Sequence, residues 1–239
     1  MSNHQILNTK DHAELRVHTE VGAQFGDTAM AALIVPDEFR QVQAHFPIVF
    51  RRDNESGQFV ALALFGFENG ENLFLDGSKW DARYRPLSIS IQPFLVGQAP
   101  GGDGEGQVHI DMDHPRIATN GEGTRLFDES LRATPYLEDI TRKLGSLHAG
   151  YQASGGFYEA LARHDLLEPF TFEVPLSNGS KHSLVGFHMI DEDKLRGLDG
   201  DALGALHAEG HLLPIFMAVA SLSNLTALVE RKDAKEGRD

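Results

Sequence analysis

The chain has no cysteine in its 239 residues. That absence excludes disulfides, zinc–thiolate sites, iron–sulfur clusters and cysteine nucleophiles. Positive charge is scarce too: 21 Lys and Arg against 35 Asp and Glu leave a formal net charge of −14. Such a surface repels phosphate backbones and anionic headgroups, and no basic run offsets it, so nucleic acid is not an expected partner. The opening "MSNHQILNTKDHAEL" lacks both a basic n-region and an apolar h-region. No classical secretory signal is expected, and the chain reads as cytoplasmic. The longest apolar run, Leu212 to Val229, is interrupted by Pro214, Ser221, Ser223, Asn224 and Thr226. It reads as a buried terminal helix and not as a membrane span. There is no Gly-x-Ser-x-Gly turn for a nucleophilic serine. The glycine-rich stretch 97–107 lacks the Gly-Lys-Ser/Thr ending of a phosphate-binding loop.

A hydrophobic fraction of 41% is enough for a real core in a chain of this length. Residues 1–28 are polar and read as an N-terminal arm. "MAALIV" (30–35), "PIVF" (47–50), "FVALALFGF" (59–67) and "VHIDMDHPRI" (108–117) read as strands, and Pro36 opens a short helix. "LSISI" (87–91) alternates cleanly and predicts a strand with one buried face. From Tyr136 the period becomes helical through Leu137, Ile140, Leu144, Leu147 and Tyr151, resuming at Phe157 and Leu161. "FTFEVPL" and "HSLVGFHMI" form a hairpin about Asn178-Gly179. Asp191 and Asp199 stand where helix caps belong. Residues 231–239 read as a charged, frayed tail. The expected fold is α+β, with one domain over 29–230. Its β-rich N-terminal half carries a mixed or antiparallel sheet, and a helix–hairpin–helix C-terminal half packs on it.

The densest candidate chemistry is "HIDMDH" (109–114). On a strand His109, Asp111 and Asp113 share a face. His109-x-Asp111 is also the first half of a two-His-one-carboxylate triad for Fe(II) or another divalent metal, which His182 or His188 would complete. Lys194 and Arg196 are the nearest basic residues for a co-substrate carboxylate. The competing reading makes Asp113 and His114 a strand-ending turn before Pro115. "HAEGH" (207–211) places two histidines at i and i+4, but the zinc-protease helix needs Glu directly after the first, so it reads as a helix end. Trp80, with Phe74, Tyr84 and Phe94, is a candidate aromatic shelf for a sugar or peptide, or else core rim.

The ordered blocks "HFPIVF" (45–50), "ALFGFENGENLFLDGSKWDARYRPL" (63–87) and "IDMDHPRI" (110–117) resemble the SapC family of bacterial proteins. So do "GTRLFDESLRATPYL" (123–137), "DLLEPF" (165–170) and "GFHMIDEDKLRGLDGDALGALHAEGHLLPIF" (186–216). The likeness spans roughly residues 28 to 230. It implies a surface-layer-associated or nutrient-uptake accessory protein, with no cofactor. Its partners would be a peptide, a saccharide, or the products of neighbouring TonB-dependent receptor and tryptophan-halogenase-like genes. A family Arg-Arg-Tyr-Pro-Phe-like segment is here Ser90-Ile91-Gln92-Pro93-Phe94. The resemblance also implies that the His109 position varies while Asp111 is regular. That moves weight from a shared metal site to Trp80, Tyr84, Phe94 and Asp111 as ligand-binding residues. The leading expectation is thus a non-catalytic binding protein; the alternative is a metal-dependent oxygenase or hydrolase.

Overall fold

The computed structural model describes residues 3–54, 56–97, 106–175 and 181–237. Its strands are β1 (His4–Ile6), β2 (Arg16–Val17), β3 (Ala31–Ile34), β4 (Ile48–Arg52), β5 (Phe59–Leu64), β6 (Leu75–Asp76), β7 (Lys79–Trp80), β8 (Phe94–Gly97), β9 (Gln107–Asp111), β10 (Ile117–Ala118), β11 (Thr124–Arg125), β12 (Leu167–Pro175) and β13 (Lys181–Ile190). Its helices are α1 (Thr9–His12), α2 (Phe39–Val42), α3 (Leu87–Ser90), α4 (Pro135–Arg163), α5 (Glu192–Arg196), α6 (Gly200–Ala208), α7 (Leu212–Ser221) and α8 (Asn224–Glu236). The fold class is α+β. The Asn178-Gly179 turn lies outside the described residues, but its two strands pair antiparallel from Leu167↔Ile190 onward.

The described residues form two compact units. The first comprises Met1–Thr28, Leu75–Trp80 and Leu87–Ala149. Here β1-β9-β8 and β10-β2-β11 are three-stranded antiparallel sheets. Val17, Phe94, Ile110, Leu126 and the α4 stripe Leu137, Ile140 and Leu144 make its core. The polar stretch 1–28 is therefore not a solvated arm. His4–Ile6 pairs with β9, Val17 is fully buried, and Asp27 is buried in a bidentate pair with Arg116 at 2.8 and 2.9 Å. Arg116 also donates to the His18 and Glu20 carbonyls. Polar residues are inside because each finds a partner there.

"LSISI" is the clearest correction in this unit. Leu87–Ser90 is one helical turn, not a strand. Pro86 supplies the fixed φ that suits a helix start. Ile89 and Ile91 are nevertheless both buried, which is the alternation the sequence showed.

The second unit comprises Ala29–Phe74, Asp81–Pro86 and Gly150–Asp239. Its five-stranded antiparallel sheet has the order β12-β13-β4-β5-β3. Phe39, Phe50 and Phe157 form one triangle of rings and Phe46, Phe65 and Phe74 another, at 4.7 to 6.4 Å between centroids. The C-terminal part of α4 enters this core through Phe157, Ala160 and Leu161, whereas Tyr151, expected on the buried stripe, is 68% exposed. Gly150 and Ser154 take the buried positions instead. A Cβ on Gly150 would stand 2.7 Å from Val35 Cγ2, so only glycine permits that approach. The hydroxyl of Tyr158 accepts the Ala61 N–H at 2.9 Å.

The apolar C-terminal run is two helices, not one. By length and composition alone Leu212–Glu236 is apolar enough to cross a membrane. In the structure α7 and α8 bury Ile215, Ala218, Leu225 and Leu228, while Leu213 and Phe216 face outward. The expected frayed tail is also helical to Glu236. Buried Lys232 anchors it through Glu71 at 2.8 Å, Glu236 at 3.1 Å and Glu68 at 3.2 Å. Burial alone would lower the Lys232 ammonium, but the carboxylates outweigh it and hold the group above its ordinary range. Asp191 and Asp199 cap α5 and α6 as read from sequence.

Ser221 joins α7 to the sheet. Its buried hydroxyl accepts the Ile48 N–H at 2.8 Å and donates to the Ala218 carbonyl at 2.6 Å. Ser221→Ala strands a buried amide, and chemical denaturation is expected to show a loss of about 1–3 kcal/mol. An unchanged midpoint and slope would mean that the Ile48 amide does not depend on this bond.

Candidate functional site

"HIDMDH" is the end of a strand and the turn after it. Asp111 Oδ1 accepts the Asp113 N–H at 3.1 Å, its carbonyl accepts the His114 N–H, and its other oxygen lies 3.9 Å from His4 Nε2. The Arg116 N–H is accepted in turn by His114 Nδ1. His109 is half-buried, with Nε2 enclosed and unpartnered; a Cβ on Gly97 would lie 2.5 Å from it.

The histidines that were to complete a triad sit on β13, each in other company. His182 is 2.7 Å from Glu68 and 3.3 Å from Glu236, beside Lys232. In that acidic cluster the Lys232 ammonium stands where a cation would. His188 lies edge-on to Phe59 at 4.9 Å, and its Nδ1 is buried without a partner. Among the described residues no group of three or more His, Asp or Glu is placed to hold a metal ion. Lys194 is engaged by Asp165 and Asp191, and Arg196 by Asp193 and Glu192.

The aromatic candidates do not make an open shelf. Phe94 is 3% exposed, inside the first unit's core, and Phe74 is buried under the Arg231 guanidinium at 4.3 Å. Trp80 is half-buried on the two-stranded β6–β7 ribbon, opposite Leu75. Tyr84 donates to Glu38 Oε1 at 2.7 Å, while Glu38 Oε2 accepts the Val35 N–H, so this pair braces the start of the Pro36 helical turn. Burial, then the bond to Glu38 and its charge, push the Tyr84 hydroxyl far above its ordinary range.

The concave site lies elsewhere in the second unit. A pocket of about 470 Å³ opens between the Pro36–Arg40 segment, α4 from Gly150 to Phe157, and the Glu209–Met217 stretch. Each wall has a local cause. Pro36 starts one wall. Gly150 lets α4 come down on Val35, which sets the floor. The third wall is made where α6 ends: Gly210, at φ +79°, turns the chain so that the His211 N–H reaches back to the Leu206 carbonyl at 2.8 Å. That reversal delivers Glu209, His211 and Leu213 to one side. Arg163 holds Glu209 at 3.0 and 3.2 Å, and the His211 ring lies 5.8 Å from Phe157. Ser154 supplies the one hydroxyl among the lining residues, and it is buried and donated to its own helix at Gly150 O, 2.6 Å away. The walls suit non-covalent capture of a small molecule with an apolar body.

In the sequence the three segments are a proline-led helix start, the Tyr151–Tyr158 stretch and "HAEGH" as a helix end. None is marked there as a site, because their convergence is tertiary.

The SapC family model matches residues 7–228 of the chain. The chain belongs to the SapC family. Searches of curated proteins and of solved structures find no match. The SapC match takes in residues of both units, and every residue lining the pocket falls inside it.

Two imidazoles give a pH prediction. His188 is held below the ordinary 6.5 by burial and then by Arg52; His114 is lowered by burial and then by Arg116, with Asp111 and Asp27 opposing. The folded chain thus binds these protons later than the unfolded chain does. Their contribution to stability is complete above pH 6.5 and is lost as pH falls below it. Denaturation midpoints at about pH 7.5 and about pH 5.5 are expected to differ less in His188→Gln than in the wild type. Equal differences would remove His188 from the account.

Proposed function

We propose that this chain is an accessory binding protein of a nutrient-uptake or surface-layer system, and that it holds a small ligand in the second unit's pocket without transforming it. SapC membership supports the general class. The observation that carries the reading is the pocket's chemistry: apolar walls with a few charged groups at the rim, and a single hydroxyl already committed to a helix carbonyl. A nucleophile needs an adjacent base and a free hydroxyl, and Ser154 has its proton engaged at Gly150 O. Peptide fragments, saccharides and protein products of neighbouring TonB-dependent receptor or halogenase-like genes are the partners to try.

The test uses a variant that fills the pocket. Ala153 is exposed on α4 at the pocket wall, so Ala153→Phe occupies the cavity without entering the core. The full-length protein is incubated with a tryptic digest of casein, with a mixture of free amino acids, and separately with a set of mono- and oligosaccharides, and retained molecules are identified by mass spectrometry. The expected result is retention of a defined subset by the wild type and loss of that subset in Ala153→Phe at unchanged melting temperature. Retention that is identical in both proteins, or absent from both, would contradict a pocket-centred binding role.

A further inference from the structure

We infer that the pocket recognises a zwitterion, a free apolar α-amino acid or the like, with Asp37 taking its ammonium and Arg40 taking its carboxylate. The inference rests on the binding role proposed above and names the ligand class.

Asp37 and Arg40 both line the pocket and are exposed, and neither forms an ion pair or side-chain hydrogen bond with any described residue. Elsewhere the chain pairs its neighbouring charges. Asp139 is bound by Arg142 and Lys143, Asp193 by Arg196, and Asp128 by Arg132, all at three- or four-residue spacing. Asp37 and Arg40 stand three residues apart, yet they are left open at the rim of a cavity. Glu209, the other lining carboxylate, is already neutralised by Arg163, so the pocket offers one uncommitted group of each sign. A ligand carrying a single charge would leave one of the two facing it unmatched, whereas a zwitterion complements both. The pocket is lined as well by the apolar side chains of Phe39, Phe157, Leu213 and Met217. A volume of about 470 Å³ accommodates an amino acid with a large aliphatic or aromatic side chain.

Three probes of nearly equal shape separate the possibilities: L-phenylalanine, 3-phenylpropanoate with the acid alone, and 2-phenylethylamine with the amine alone. Isothermal titration of the full-length protein is expected to give L-phenylalanine the tightest binding, by about ten-fold over either single-charge probe, the worth of one charged hydrogen bond. Asp37→Asn should weaken L-phenylalanine by about ten-fold and leave 3-phenylpropanoate unchanged. Arg40→Gln should do the converse, with 2-phenylethylamine unaffected. Both side chains are exposed, so circular dichroism and melting temperature should match the wild type. Equal binding of phenylalanine and 3-phenylpropanoate, or indifference to Asp37→Asn, would overturn zwitterion recognition. Absence of binding by all three probes would overturn it as well. If casein peptides or saccharides were then still retained in an Ala153-dependent manner, the binding role would stand and only the ligand class would fall.

Discussion

The approach of helix α4 to the five-stranded sheet is the constraint on which the second unit depends. Gly150 is pressed against Val35, Phe157 sits between Phe39 and Phe50, and the Tyr158 hydroxyl closes the contact by accepting the Ala61 amide. Burial carries the Tyr158 hydroxyl up to about 12, against the smaller opposing effect of that bond. The phenol thus stays neutral and the contact is insensitive to ordinary pH. Because α4 is fixed at this height, Ala153, one position round from its buried stripe, is exposed at the pocket wall. The pocket is the space left over when a helix is held close by a glycine and bounded by a chain reversal at Gly210.

Buried charge organises the rest of an acidic chain. Arg116 and Asp27 form a buried ion pair in the first unit, and Lys232 gathers Glu68, Glu71 and Glu236 in the second. Removing one member of such a group leaves an uncompensated charge inside, which is why the penalty exceeds the net worth of the pair. These knots lie near the chain's two ends, in segments whose composition is indistinguishable from solvated polar sequence. The ends are anchored by specific charged partners far away in sequence as well as by buried apolar side chains such as Val17 and Leu228.

That difference explains what the sequence made legible. The β12–β13 pairing, the caps at Asp191 and Asp199 and the strands expected at 30–35, 47–50 and 59–67, found at 31–34, 48–52 and 59–64, rest on signals contained within a few residues. The phase of α4 was read with Tyr151 inside, because hydrophobicity cannot show that Gly150 and Ser154 occupy the buried stripe. "LSISI" carries the right burial but the wrong backbone, since Ile89 is buried from within one helical turn and Ile91 from the residue just after it. The "HIDMDH" spacing was real, and its use is local: Asp111 closes the turn after β9. The pocket was illegible for a simpler reason. Pro36, Gly150 and Gly210 are ordinary residues until three distant segments meet, and no spacing rule links them.

The central claim is that the ligand enters this pocket, and Met217 reports on it directly. Among the described methionines only Met217 lines the cavity; Met30, Met112 and Met189 lie elsewhere. A methyl spectrum of protein labelled with [methyl-13C]methionine, recorded during titration with L-phenylalanine, should show one resonance moving saturably, and Met217→Leu should identify it. The Met112 and Met189 methyls should hold their positions. A stationary Met217 methyl at saturating ligand, or equal movement of all the methyls, would contradict the account.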